Sequence, residues 1–358
     1  MPSTIIPVDR LDPVEHIPDP GTGPAVPPPG KRPRIEEVAR LAGVSIISVS
    51  RALRKPEIVS KETRARIEEA VAATGFSLNP HASALRSGRS NVVMVFMSSL
   101  YSEQFVNAAH AFSEVMEPAG FEVVLARTFY NYQREIQLTQ SLTQVRPAAV
   151  FITGVLEQER NRAMFERMNI PVVESWAYTD QPIDMLVGMS NTDGAAAVAR
   201  HLFDKGYRRL GFIGRQTGRG RIRQLAFEEE CGRLGAQYVG GVSLPTVKSW
   251  EEGAGALADL LDSGVMPDAV FCANDLMACG ALMETRSRAL RVPEDLALIG
   301  FGDNSLMREL QPGITTVTCD PFEIGRRAGE MLVSRLSGDR PEQERMVLPL
   351  SLIERGSC

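Results

Sequence analysis

Residues 35–53 read IEEVARLAGVSIISVSRAL, and the apolar spacing of this stretch decides what kind of chain carries it. Ile35, Val38, Ala39 and Ala42 recur at intervals of three and four, the signature of one helix face. Val49, Ala52 and Leu53 repeat the arrangement beyond Gly43-Val44. Two short helices joined by a tight turn and sharing a small core result, the pattern of a helix-turn-helix. Ser45 stands where the second helix would start, so its hydroxyl can cap the first amides. The outward face of that helix, with Ile46, Ile47, Ser48, Ser50 and Arg51, is then placed to face a DNA major groove.

A third helical pattern follows from residue 60 to residue 74, with Ile67, Ala70 and Val71 inward, Lys61, Arg64 and Arg66 outward, and Gly75 as the stop. Across residues 31–90, 12 Lys or Arg face 6 Glu and no Asp, a net +6 on a chain whose total is −5, so the rest carries −11. A basic head on an acidic body is expected to meet a polyanion at one end only. Residues 1–30 hold nine prolines, four acidic side chains and no apolar period, and are expected to form a disordered tail. Asn79 can cap a short helix over residues 79–85, with Pro80 in the first helical position, where its missing amide does no harm. So short a helix is marginal alone in water.

The runs RIEEVARLAGVSIISVSRAL, VSKETRARIEEAVAATGF and NPHASALRSGRS resemble the lactose, galactose and purine repressor family of bacterial transcription factors, and the likeness extends to the C-terminus. It implies that Ile46 and Ile47 choose operator bases while Ser48, Ser50 and Arg51 touch phosphates and neighbouring bases. Both choosers are apolar and can form no bidentate hydrogen bond, so thymine methyls are their expected partners. Affinity is then expected from Arg51, Arg54, Lys55 and other phosphate contacts, and to fall steeply with salt. Arg34 stands where the family places a helix-capping Thr; either the cap is lost or Arg34 touches phosphate instead. The resemblance also makes residues 79–85 a hinge that folds on the operator, with Asn79 as cap, Ala82 as a small residue and Leu85 as a wedge into the central minor-groove step.

Beyond residue 90 the pattern turns from helical to alternating. Apolar runs at 92–96, 121–125, 148–152, 171–173, 210–213, 269–272 and 296–299 look like buried parallel strands separated by helices. The expected fold is an all-α helix-turn-helix head plus an α/β, two-lobed, periplasmic-binding-protein-like sensor domain. Its expected divisions are a tail over 1–30, the head over 31–77, hinge and linker over 78–90, and an effector-binding and dimerisation domain over 91–358. Ligands bind such sheets at the carboxyl ends of strands. That nominates Ser99, Tyr101, Thr153, Glu174 and Trp176 in the first lobe, Asn191 near the crossover, and Arg223, Lys248, Asn274 and Asp275 in the second. By resemblance, Arg223 grips ligand and one member of the Asn274-Asp275 pair reaches ligand hydroxyls, although Asp275 could equally be a helix cap. Gly302 stands where many sugar-sensing relatives carry an Asp. With Arg215, Arg219 and Arg221 close in sequence, the second lobe can supply cations for a carboxylate. The neighbourhoods PVVESWA and DMLVGMSNTDGAA resemble those of gluconate-operon repressors within the family, which points to a sugar acid as effector. A neutral sugar or a corepressor is the alternative.

The rest is exclusion. No apolar run is long enough to cross a membrane, and no basic start precedes an apolar core. Five cysteines without paired spacing fit a reducing cytoplasm, and four scattered histidines offer no metal cluster. GFIGRQTGRG at 211–220 is glycine-rich after a strand but lacks the Walker lysine and dinucleotide spacings, so no cofactor and no enzyme activity are expected. A homodimer binding pseudopalindromic double-stranded operator DNA, with no membrane partner, is the expected working form.

Overall fold

A computed structural model describes residues 33–54, 56–76, 90–128, 136–137, 140–142, 145–156 and 159–358, the side chain of Arg54 excepted. The tail over 1–30, Lys55, and the hinge residues Asn79, Ala82 and Leu85 lie outside the described residues. The chain divides into two compact units, Met1–Arg86 and Ser87–Cys358.

In the first unit, α1 (Ile35–Ala42), α2 (Ile46–Arg54) and α3 (Lys61–Thr74) close on one core. Glu36 and Glu37 in the first turn of α1 and Arg40 in its last complement the helix dipole. Gly43 ends it at φ 61°, a left-handed conformation that a side chain would strain. Ser45 Oγ accepts from the Ser48 amide at 3.1 Å and caps α2. Ser60 does the same for α3 through Thr63. Arg34 makes no side-chain cap at α1. The core is Val38, Ala39, Ala42, Val49, Ala52, Ile67 and Ala70, with Ile35, Leu53 and Val71 packed at its edge.

The second unit holds two six-stranded sheets. Strands β1 (Val92–Met97), β2 (Glu122–Arg127), β3 (Ala149–Ile152), β4 (Val172–Ser175) and β5 (Met185–Gly188) alternate with α4 (Glu103–Met116) and α5 (Glu159–Met168). They form the first lobe. The second is built from α6 (Asn191–Asp204), β6 (Arg209–Arg215), α7 (Arg219–Leu234), β7 (Gln237–Leu244), α8 (Trp250–Asp262), β8 (Ala269–Cys272), α9 (Asp275–Ser287), β9 (Ala297–Phe301), α10 (Ser305–Glu309) and β10 (Thr315–Thr318). The chain then returns: α11 (Pro321–Ser337) packs on α4, β11 (Arg345–Val347) joins the first sheet, and β12 (Ser351–Ile353) joins the second. Sheet orders are β11-β5-β4-β3-β1-β2 and β12-β10-β9-β8-β6-β7, parallel throughout except for β10 with β12.

Strands β1, β3, β5, β8 and β9 are nearly continuous apolar runs because helices cover both faces, and β4, equally buried, ends in Glu174 and Ser175. The return of α11 depends on small residues. A Cβ on Gly325 would lie 2.0 Å from the Ala108 carbonyl oxygen of α4, so only glycine lets the two helices approach. Three passages between lobes bring the carboxyl ends of both sheets to face one another across a cleft.

Candidate functional site

The surface of the head follows from its core. With Val49 and Ala52 buried, the same helix turns Ile46 and Ile47 outward, 43% and 63% exposed, with Arg51 exposed beside them. Two isoleucines held out in water cost free energy unless something apolar covers them. Ser48 and Ser50 are half-buried, and Ser48 Oγ lies 2.9 Å from Ser45 Oγ, so one face is polar and the adjacent one apolar.

In the second unit a cavity of about 230 Å³ opens between the lobes. Its walls come from strand ends: Ser99 and Tyr101 after β1, Trp176 after β4, Arg215 at the end of β6, Asn274 and Asp275 after β8, Gly302 after β9. Parallel strands end where helix N-termini begin, so backbone amides and polar caps converge there. Asn274 is the cap of α9, its Oδ1 accepting from the Met277 amide at 3.0 Å. Asp275, the next residue, is no cap. Its Oδ2 accepts from the Asn304 amide at 2.6 Å and its Oδ1 from Thr316 Oγ at 3.0 Å. Burial outweighs these donors and pushes its carboxyl up to about 6.

Arg223 is the keystone of the second-lobe wall. Its Nε donates to Asn191 Oδ1 at 2.8 Å, an Nη donates to the Ala273 carbonyl, and the guanidinium lies 3.5 Å from the centroid of the Phe301 ring. Asn191 in turn donates to the Trp176 carbonyl at 3.0 Å, tying the crossover to the first lobe. Trp176 sits at φ 61° with a buried indole, and its Nε1 has no hydrogen-bond partner among the described residues. A buried donor without an acceptor costs about 1–3 kcal/mol, so a ligand oxygen there would repay it. Arg219 reaches across the cleft, its Nη1 donating to the Thr153 carbonyl at 3.1 Å.

Seven of the eleven nominated residues, Ser99, Tyr101, Trp176, Arg223, Asn274, Asp275 and Gly302, line this cavity. The other four do not. Thr153 is fully buried, its hydroxyl accepting from the Ser98 amide at 2.8 Å. Glu174 is fully buried and accepts from the amides of Leu156 and Ile183 at 2.7 and 2.8 Å, fastening two loops rather than facing the cleft. Asn191 stands behind Arg223. Lys248 is exposed, and its neighbours Val247 and Trp250 line the cavity instead, Trp250 being 43% exposed. Arg221 points outward onto Gln224.

Residues beyond the nominated set complete the first-lobe edge. Gln104 Nε2 donates to the Gly302 carbonyl, and Glu103 Oε2 accepts from both the amide and the hydroxyl of Ser305 at 2.9 Å. Gly302 makes this possible: at φ 147° a Cβ would lie 2.6 Å from Gln104 Nε2 and 2.7 Å from Asp275 Oδ2. Sequence alone carried no signal for this latch, since 198 residues separate its partners. Trp250 was missed as well, although a large aromatic at a helix start two residues from Lys248 offered a signal. Among the described residues no group of His, Cys, Asp or Glu could hold a metal ion, and no helix is long and apolar enough to cross a membrane.

Comparison with known proteins places this geometry. Residues 34–79 match the model of bacterial regulatory proteins of the lacI family, and residues 199–358 that of a periplasmic binding protein-like domain. The HTH-type transcriptional regulator GntR of Pseudomonas aeruginosa is 32% identical over 91% of this chain and 96% of its own. The crystal structure of a LacI-family transcriptional regulator from Silicibacter pomeroyi superposes with a TM-score of 0.83, at 28% identity, covering 91% of this chain and 99% of that one. A complex of the transcriptional regulator CelR with cellobiose gives a TM-score of 0.67 at 26% identity, with 91% and 100% covered. The helix-turn-helix head, the two-lobed body and these similarities converge: the chain belongs to the LacI family of DNA-binding transcriptional regulators, a family of regulators and not of enzymes.

Proposed function

We propose that this regulator is a homodimeric repressor that leaves a pseudopalindromic operator when a sugar acid such as gluconate enters the interlobe cavity. The observation that carries the effector reading is the wall of Arg215, Arg219 and Arg223. Two carboxylates share that cavity, but Asp275 and Glu103 each accept donors from the protein itself. Gly302 adds none. Guanidinium groups in a partly desolvated cleft favour a carboxylate ligand through paired, charge-assisted hydrogen bonds. The Trp250 ring offers a face for a carbon chain, and Asn274 and the Trp176 indole offer polar contacts to hydroxyls.

On the DNA side, Ile46 and Ile47 meet thymine methyls, Arg51 and its neighbours hold phosphates, and Leu85 wedges the central step. Effector binding shifts the lobes and, through the hinge, the spacing of two heads. A neutral sugar is the second reading. Two carboxylates and an exposed indole also suit a ring, and the similar CelR structure is a complex with cellobiose.

The test is selection of binding sites from random duplex DNA by the full-length protein at near-physiological salt, with and without gluconate, alongside calorimetry. A palindrome enriched only without gluconate supports the proposal. Heat with cellobiose or another neutral sugar, and none with sugar acids, replaces it by the second reading.

A further inference from the structure

Residues 1–30 carry neither a helical nor a strand period, but part of them carries a period of three. Val8, Leu11, Val14 and Ile17 recur at every third position, and Asp9, Asp12 and Glu15 each follow one position later, so that 8–16 reads as the three repeats VDR, LDP and VEH. Pro13 in the middle, with Pro7 and Pro18 at the flanks, opposes a helix and favours polyproline II, which completes one turn in three residues. In that conformation the four apolar side chains fall in one stripe and the three carboxylates in the stripe beside it. Linker composition alone does not keep two such sets in phase. The repeat also lies ahead of the segment that matches the family, which begins at residue 34.

The described head offers a complementary surface. Burial of Val49 and Ala52 turns Ile46, Ile47 and Arg51 outward. Ile47 and Arg51 are four residues apart on α2 and are therefore neighbours on its surface. An apolar strip with a cation beside it is the counterpart of an apolar stripe with carboxylates beside it. Ile58, in the short 3-10 helix Pro56–Ile58 that follows α2, adds exposed apolar surface. The net charges agree as well: residues 1–30 carry one Arg against four acidic side chains, 1 − 4 = −3, and residues 31–90 carry +6. Reach is sufficient. Sixteen residues, 18–33, join the repeat to α1, whose eight residues rise only about 12 Å. A flexible chain of that length spans about 20 Å, enough to lead the repeat back along α1 to the start of α2.

We propose that residues 8–17 dock on the outward face of α2 when no DNA is bound, and that DNA must displace them. The tail is then an intramolecular competitor for the recognition surface. Its apolar stripe covers Ile46 and Ile47, and its carboxylates pair with Arg51. The assignment rests on the proposed DNA-facing role of those three residues. A short tether holds the repeat at an effective concentration of about 1 mM, so a contact whose own dissociation constant is about 0.1–1 mM lowers DNA affinity about two- to tenfold. Because the tail leaves before any base is read, the factor applies to every duplex, and one of mixed sequence serves as the probe.

Three full-length proteins test this: the native chain, a charge variant with Asp9→Asn, Asp12→Asn and Glu15→Gln, and an apolar variant with Val8→Ser, Leu11→Ser, Val14→Ser and Ile17→Ser. The apolar variant keeps every charge. Affinity for a labelled duplex of mixed sequence is read by fluorescence anisotropy, and amide hydrogen exchange across 46–54 is followed without DNA. Both variants should bind the duplex about two- to tenfold more tightly than the native chain, and their α2 amides should exchange faster. A gain in the charge variant alone, with exchange unchanged, means that the carboxylates repel DNA without docking, and overturns the proposal. So does the absence of any change in either readout. Faster exchange in both variants at unchanged duplex affinity keeps the docking and overturns the DNA-facing reading of α2 instead.

Discussion

Asp275 shows how one buried carboxyl couples stability to ligand charge. In an unfolded chain its group titrates near 3.9; in the fold, burial lifts it to about 6. The folded state therefore binds the proton more tightly. That contribution is complete below the unfolded value and is lost as pH rises through the folded one, a change of about 3 kcal/mol for two units. Asp275→Asn keeps the volume and removes the titration. Its urea-unfolding free energy should gain on that of the native protein by up to about 3 kcal/mol between pH 4 and pH 7. A gap that stays constant across that range would mean Asp275 titrates like an exposed carboxyl. The same proton removes a negative charge from the cavity, so sugar-acid affinity should rise as pH falls from 7.5 to 5.5. Gly302 beside it is constrained by backbone and by space together. Gly302→Ala must strain φ 147° and push aside either Gln104 or the Asp275 carboxylate, at about 1–3 kcal/mol by chemical denaturation.

At the scale of elements, the head was the most legible part. Short helices with apolar spacing, a Ser before the second and the third and a Gly after the first and the third are local features, and Val38, Ala39, Ala42, Val49 and Ile67 are buried as their spacing requires. Ser45→Ala should lower the thermal stability of the head by about 1 kcal/mol, because the Ser48 amide loses its acceptor. Strands β1, β3, β4, β8 and β9 announced themselves as apolar runs, whereas β5, equally buried but only four residues long and ending in Gly188, did not. Strands β7, β10, β11 and β12 did not: QYVGGVSL carries two glycines, TTVT is mostly threonine, and the last two are three residues long. What stayed hidden was non-local. Nothing near residues 321–337 says that this helix returns to the first lobe, where Gly325 sits on Ala108. Gly325→Ala should therefore cost at least about 1–3 kcal/mol, although alanine is the better helix former, and a stabilised variant would contradict the close approach. The cavity was legible wherever a strand end places a side chain. It was not where contact depends on lobe closure, as with Gln104, or where burial takes a polar group for the fold, as with Glu174.

For the whole molecule, the relevant quantity is the coupling between two ligands. The +6 of residues 31–90 sits on a chain of net −5, so operator affinity should drop steeply with salt, whereas effector binding inside a cleft should vary far less. If effector and operator favour different arrangements of the same chain, each must weaken the other by the same factor. Couplings of this kind are typically about 1–3 kcal/mol, or roughly 5- to 150-fold. The effector's dissociation constant, measured with and without saturating operator duplex, should shift by the same factor as the operator's measured with and without effector. Charge repulsion between an anionic ligand and DNA could mimic such coupling, and salt separates the two. A factor that vanishes between 50 and 300 mM salt is long-range electrostatics, since the screening length falls to a few ångströms over that range. One that persists at constant size is carried by the protein, and Leu85→Ala, which removes the proposed wedge but no charge, should reduce it.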